Sequence, residues 1–142
     1  MMKTLALSTL AAFTLGLSAT SALAGDPVAG EAEWRGCRSC HGITDDEGTV
    51  IQRGGRTGPN LYGLPGRAVA SVDGFNYSEP LQAFAATGAT WTEENFVEYV
   101  QDPTAFLRAH LGDNSVRSAM NYRMRSGAAD MYAYLESLVP AE

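Results

Sequence analysis

The chain has 142 residues, with 10 basic and 16 acidic side chains, a formal net charge of −6 and only 2 cysteines and 2 histidines. That length suits one domain, and the acidic balance argues against nucleic acid as a partner. The two cysteines, Cys37 and Cys40, lie too close together to make a useful structural staple, because the loop they would close is so short.

Lys3 is followed by an apolar run from Leu5 to Leu17, then by small residues ending in Ala22-Leu23-Ala24. A basic start, a short apolar run and a small-x-small tripeptide read as a secretory signal peptide, with cleavage expected after Ala24. The run is interrupted by Thr, Ser and Gly and falls short of the ~20 apolar residues that span a bilayer. No later segment is apolar enough to span, so the expectation is a soluble single domain over 25–142, exported to the periplasm. Beyond residue 24 the chain has nine arginines, no lysine and sixteen acidic residues.

The rest reads as helix and loop. Asp26-Pro27 is a cap followed by proline at the first helical position. It predicts a helix from Pro27 to about Arg38, with Val28, Trp34 and Cys37 near one face. Residues 42–78 are rich in glycine and read as turns. So long an irregular stretch in so small a domain suggests that it wraps a bound group. Ser78 caps a predicted helix over 80–86, and Thr92 caps another over 93–101 with acids in its first turn. Asp102-Pro103 repeats the cap-then-proline signal and opens a helix to about His110. A second loop, 111–125, leads to a last helix over 128–139, where Met131, Tyr134, Leu135 and Leu138 form one apolar stripe. No strand alternation is visible.

Cys37-Arg38-Ser39-Cys40-His41 is C-x-x-C-H, the sequence of c-type haem attachment. Two thiols with a two-residue spacer reach two vinyl groups along one edge of the ring, and the next histidine falls under the iron. A thioredoxin-like pair needs a βαβ setting that is absent and leaves His41 unexplained. A zinc site needs four ligands, and only three candidates cluster. On the far side of the ring, Met and His are the side chains suited to iron. Met120 and Met124 both lie in the second loop, while Met131 belongs to the apolar stripe and His110 ends the Asp-Pro helix.

With these residues in hand, the chain resembles the class I cytochromes c, most closely the larger bacterial cytochrome c2 and c-550 group. The resemblance covers nearly all of 25–139. It rests on Gly-Asp-Pro-Val-Ala-Gly-Glu at 25–31, the haem motif, Arg-Thr-Gly-Pro-Asn-Leu-Tyr-Gly at 56–63, Gly66-Arg67, Phe-Asn-Tyr-Ser at 75–78, Trp-Thr-Glu-Glu at 91–94, Glu-Tyr-Val-Gln-Asp-Pro at 98–103 and Ala133-Tyr134-Leu135. It implies an all-α, single-haem fold in which the N- and C-terminal helices cross and long loops wrap one covalent haem c. Trp34 and Tyr134 resemble the aromatic contact at that crossing, where Gly30 lets the backbones approach.

The resemblance also assigns roles. Met120, followed by Asn121 and Tyr122, matches the sixth iron ligand, and Met124 a second, non-ligating methionine. Pro59 matches the proline whose carbonyl accepts the ring N–H of the ligating histidine. Arg67, Tyr77 and Trp91 match the groups that bond a haem propionate, and Tyr99 the tyrosine beside the methionine sulfur. Two departures stand out: Ser118-Ala119 replaces the family's usual Thr-Lys before the ligand, and the loops from His41 to Pro59 and from Pro103 to Met120 are long.

The expected function is one-electron transfer, without enzymatic activity, in a monomer. The expected donor is a cytochrome bc1 complex; the expected acceptor is a reaction centre, a terminal oxidase or a denitrification enzyme. The family docks through lysines around the haem edge. Here Arg35, Arg38, Arg53, Arg56, Arg67, Arg117, Arg123 and Arg125 lie beside the haem segments, while acids gather at Asp45–Glu47, Glu93–Glu98 and the termini. This predicts a basic face and an acidic back. The competing reading, a peroxidase-like enzyme or a gas-binding haem module, requires an open sixth site.

Overall fold

The computed structural model describes residues 24–140, so the proposed signal peptide lies outside the described residues. Five helices form in chain order: α1 (Pro27–Glu33), α2 (Glu79–Ala85), α3 (Glu93–Gln101), α4 (Pro103–Leu111) and α5 (Ala128–Ser137). Their starts follow the capping chemistry. Asp26 accepts the Val28 N–H ahead of α1, Thr92 accepts the Asn95 N–H ahead of α3, and Asp102 accepts the Ala105 N–H ahead of α4. Ser78 sits at the cap position of α2, but its side chain makes no capping bond.

Two local expectations are corrected. The first helix stops at Glu33 and tightens into a 3-10 turn over Trp34–Gly36. Trp34 then accepts from both Cys37 and Arg38, at 2.8 and 3.1 Å, and Cys37 accepts from His41 at 3.0 Å. The cysteine motif therefore sits on a string of tight turns. Val28, placed by sequence beside Trp34 and Cys37, is instead 75% exposed. A small antiparallel hairpin, β1 (Ile43–Thr44) with β2 (Val50–Gln52), also interrupts the predicted loop. Its turn is closed by Asp45, whose carboxylate accepts from the backbone of Glu47 and Thr49.

One buried apolar cluster runs from Trp34 to Leu135 and draws on every helix or its flanks. At its base α1 packs on α5. A Cβ at Gly30 would run into the carbonyl of Asp130 and the Cβ of Tyr134, so only glycine allows this approach. The Asp26 N–H donates to the Asp130 carboxylate at 2.8 Å, tying the two helix starts together. Trp34 and Tyr134 are both buried in this cluster, but among the described residues their rings do not form an aromatic pair.

Candidate functional site

The 54–61 segment is laid along the cysteine motif by three backbone bonds: Gly55 to the Arg38 carbonyl at 2.9 Å, Gly58 to that of Cys40 at 2.8 Å, and Leu61 to that of Gly42 at 3.2 Å. The Asn60 side chain adds a two-way link, accepting from the Thr44 N–H at 3.0 Å and donating to the Thr44 carbonyl at 2.7 Å. Pro59 is thereby held against His41, and its carbonyl accepts the Nδ1–H of that ring at 2.8 Å. With Nδ1 protonated, Nε2 carries the lone pair. Burial lowers the pKa of His41, and the bond to Pro59 only partly opposes this, so the ring is neutral and able to bind a metal at pH 7. A Cβ at Gly58 would fall onto the His41 ring, so this glycine is the floor on which the imidazole lies.

The two thiols differ. Burial pushes Cys37 up to about 11, with Glu33 and Cys40 adding to the rise. Cys40 is exposed and lowered by hydrogen bonds from Thr57 and Ser39. Both line the same cavity.

That cavity measures about 270 Å³ and opens beside the cysteines. All nine residues singled out by sequence line it: Cys37, Cys40, His41, Pro59, Arg67, Tyr77, Trp91, Tyr99 and Met120. Met124 and Met131 line it as well, so the methionine read as core in α5 also faces the site. His110 does not. Its Nδ1–H donates to the Phe106 carbonyl at 2.9 Å, and its ring packs on Phe106 with centroids 4.0 Å apart. It is committed to its own helix and to the far side of α4. Sequence reasoning passed over the apolar walls, Leu61, Leu64, Leu81, Phe96 and Val100. Phe96, Tyr99 and Val100 share one face of α3 at i, i+3, i+4, a spacing that could have found them.

The polar side of the cavity is built around Arg67. Antiparallel bonds between Gly66-Arg67 and Trp91 fix both side chains: Gly66 N–H to the Trp91 carbonyl at 2.8 Å and Trp91 N–H to the Arg67 carbonyl at 2.9 Å. The guanidinium donates to the carbonyls of Tyr62 and Asn60 at 2.7 and 3.2 Å, and its Nε is buried without a partner. Burial lowers its pKa. A half-buried cation without a paired carboxylate, and with an orphaned N–H, is costly unless an anion arrives. The Tyr77 hydroxyl accepts from the Val72 N–H at 3.1 Å, which leaves its own proton free to donate.

These features fit a haem. The apolar walls match a flat macrocycle, two thiols stand at its edge, nitrogen and sulfur donors share the cavity, and an unsatisfied cation awaits its carboxylates. No protein-family model matches the chain. Individual relatives do. The cytochrome c-551 of Roseobacter denitrificans is 51% identical over 114 residues, covering 80% of this chain and 81% of that protein. The cytochrome c2 of Rhodobacter capsulatus is 42% identical over 132 residues, covering 93% and 94%. The crystal structure of cytochrome c2 from Rhodobacter capsulatus superposes with a TM-score of 0.79 at 41% identity, over 82% of this chain and all of that one. A shared fold, a site of matching chemistry and identity at this level over most of both chains lead to one conclusion: the chain belongs to the class I cytochromes c, in the cytochrome c2 and c-550 group of electron carriers with one covalently attached haem c.

Proposed function

We propose that residues 25–142, released by cleavage after Ala24, form a soluble, monomeric periplasmic shuttle for single electrons. In this reading Cys37 and Cys40 carry the thioether links, and His41 and Met120 are the two axial donors. The carrying observation is that an imidazole with a free Nε2 and a thioether side chain stand in the walls of one apolar cavity. Bound haem supplies one reversible electron at its iron. The chain's own residues set the conditions. The Pro59 carbonyl fixes the His41 tautomer and raises its basicity. Leu61, Leu64, Phe96 and Val100 exclude water. Arg67, Tyr77 and Trp91 meet the ring's carboxylates, and Tyr99 stands on the Met120 side.

The test is an absorption spectrum of the purified exported protein, oxidised and reduced, with and without carbon monoxide. The expected result is a reduced spectrum indifferent to carbon monoxide and a weak near-infrared band in the oxidised form. Ready binding of carbon monoxide at neutral pH would replace this reading with an open-site enzyme or gas-binding module.

For partners, we read a cytochrome bc1 complex as donor, and a reaction centre, terminal oxidase or denitrification enzyme as acceptor. Support comes from the arginines. Arg67 and Arg108 turn inward to backbone carbonyls, and Arg123 pairs with Asp102 at 3.0 Å. Arg35, Arg38, Arg53, Arg56, Arg117 and Arg125 are exposed in the segments that form or flank the cavity mouth. Such a face is suited to an acidic partner. Electron-transfer rates to that partner should fall steeply as salt rises through ~0.1 M, where the screening length is ~10 Å. Stopped-flow rates that stay flat or increase with salt exclude this docking mode.

A further inference from the structure

The segment 112–127, which carries Met120, has no regular secondary structure. It is moored to α3 and α4 by bonds from individual residues. Arg108 Nε donates to the Val116 carbonyl at 3.0 Å, and the Met124 N–H donates to the Val100 carbonyl at 2.7 Å. Between these two moorings, Ser118 takes part in three bonds of its own. Its backbone N–H donates to the Thr104 hydroxyl at 3.1 Å, its hydroxyl lies 3.3 Å from the Tyr99 hydroxyl, and that same oxygen accepts the Met120 N–H at 3.2 Å. One residue therefore joins α4 through its backbone, and α3 and the backbone of Met120 through its hydroxyl. Downstream, Asn121 and Tyr122 are exposed, and the next side-chain tie is the solvent-facing pair of Arg123 with Asp102, a kind of contact that holds weakly.

We propose that Ser118, seated on Thr104, is the positioning residue for Met120: it fixes the methionine backbone and so holds the sulfur over the cavity. The inference rests on Met120 being the sixth ligand. A serine hydroxyl has the capacity for this task, since it accepts the Met120 N–H and exchanges a second bond with Tyr99. Alanine would remove both. Thr104→Val would remove the seat while leaving the serine hydroxyl in place. The two changes strike one hydrogen-bonded unit, so the double variant should exceed the larger single effect by less than the product of the two.

The experiment uses the ferric holoprotein and cyanide. At saturating cyanide, the binding rate reports how often the resident sulfur leaves. Ser118→Ala is expected to raise that limiting rate about 3- to 10-fold, the factor represented by one or two hydrogen bonds of ordinary net strength. Thr104→Val should raise it about 2- to 5-fold on the same scale, and Ser118→Thr should restore it to within about twofold, since threonine offers the same hydroxyl. A role confined to stability would move the thermal midpoint and leave the rate unchanged. If Ser118→Ala does not fold, Thr104→Val decides the matter. Met120→Ala separates the two levels of the argument. If cyanide binds that variant without a limiting step while Ser118→Ala and Thr104→Val match the parent, the latch is wrong and the ligand stands. If Met120→Ala shows the parent's limiting rate, the ligand assignment itself fails.

Discussion

Replacing Met120 with alanine should open the haem site: carbon monoxide is expected to bind the reduced protein stoichiometrically at pH 7, the near-infrared band to disappear, and the reduction potential to fall by ~0.2 V, within the ~0.8 V that axial ligands span. The size of the effect depends on whether another side chain can take over. Met124 is buried, and its backbone is pinned to Val100 by a 2.7 Å bond. Met131 is buried within α5, a helix that packs on both α1 and α3, so its backbone is held in place. His110 is engaged with Phe106 on the far side of α4. With both methionine backbones held, the vacancy should persist. Spectra of Met120→Ala beside Met124→Ala check this; the same losses in the Met124 variant alone would transfer the role to Met124.

Removing both thiols has the larger effect on the protein as a whole. Cys37→Ala combined with Cys40→Ala should leave no haem on the chain after denaturing electrophoresis, and the apoprotein should show no cooperative thermal transition. The reason is the apolar wall: without the ring, Leu61, Leu64, Phe96 and Val100 would face water, and fully burying one such side chain is worth ~1.5–3 kcal/mol. A small domain is held folded by only ~5–15 kcal/mol. The buried, unsatisfied Nε of Arg67 adds to the deficit. Haem staining and far-ultraviolet circular dichroism check the two halves. A double variant that retains a sharp transition would show that the loops close without help from the cofactor.

Much of this site is legible in the sequence because its chemistry sits in rare residues at fixed spacing. With two cysteines and two histidines in the chain, the C-x-x-C-H run dominates any reading, and the family pattern brings Pro59, Arg67, Tyr77, Trp91 and Tyr99 along in order. All of them line one cavity. The helices with side-chain caps were equally readable: α3 begins at Glu93 behind Thr92, and α4 at Pro103 behind Asp102. Other elements depend on tertiary contacts. The first helix yields to a 3-10 turn at Trp34, whose backbone carbonyl accepts from both Cys37 and Arg38 while its indole is buried. The turn of the two-strand hairpin is closed by Asp45 and its first strand is held by the Asn60 side chain, without alternating side chains to mark it. Ser118 and Thr104 meet through one bond across 14 residues, and no periodicity marks such a pair.

The junction of Asp26 with Asp130 spans 104 residues. Closing so long a loop has an entropy cost that grows only logarithmically with length, yet it must be met before the contacts at its ends can repay it. His41 lies soon after α1 and Met120 shortly before α5, so any tie between those two residues closes nearly the same loop as the helix pair. Each closure raises the effective concentration for the other. In most domains the chain ends fray first and the middle holds. Here α1 is fastened to the start of α5 through Asp130 and the close approach at Gly30, while Asn121 and Tyr122 are exposed. Local opening, as read by amide exchange, should therefore begin beside the methionine before it reaches the α1–α5 junction.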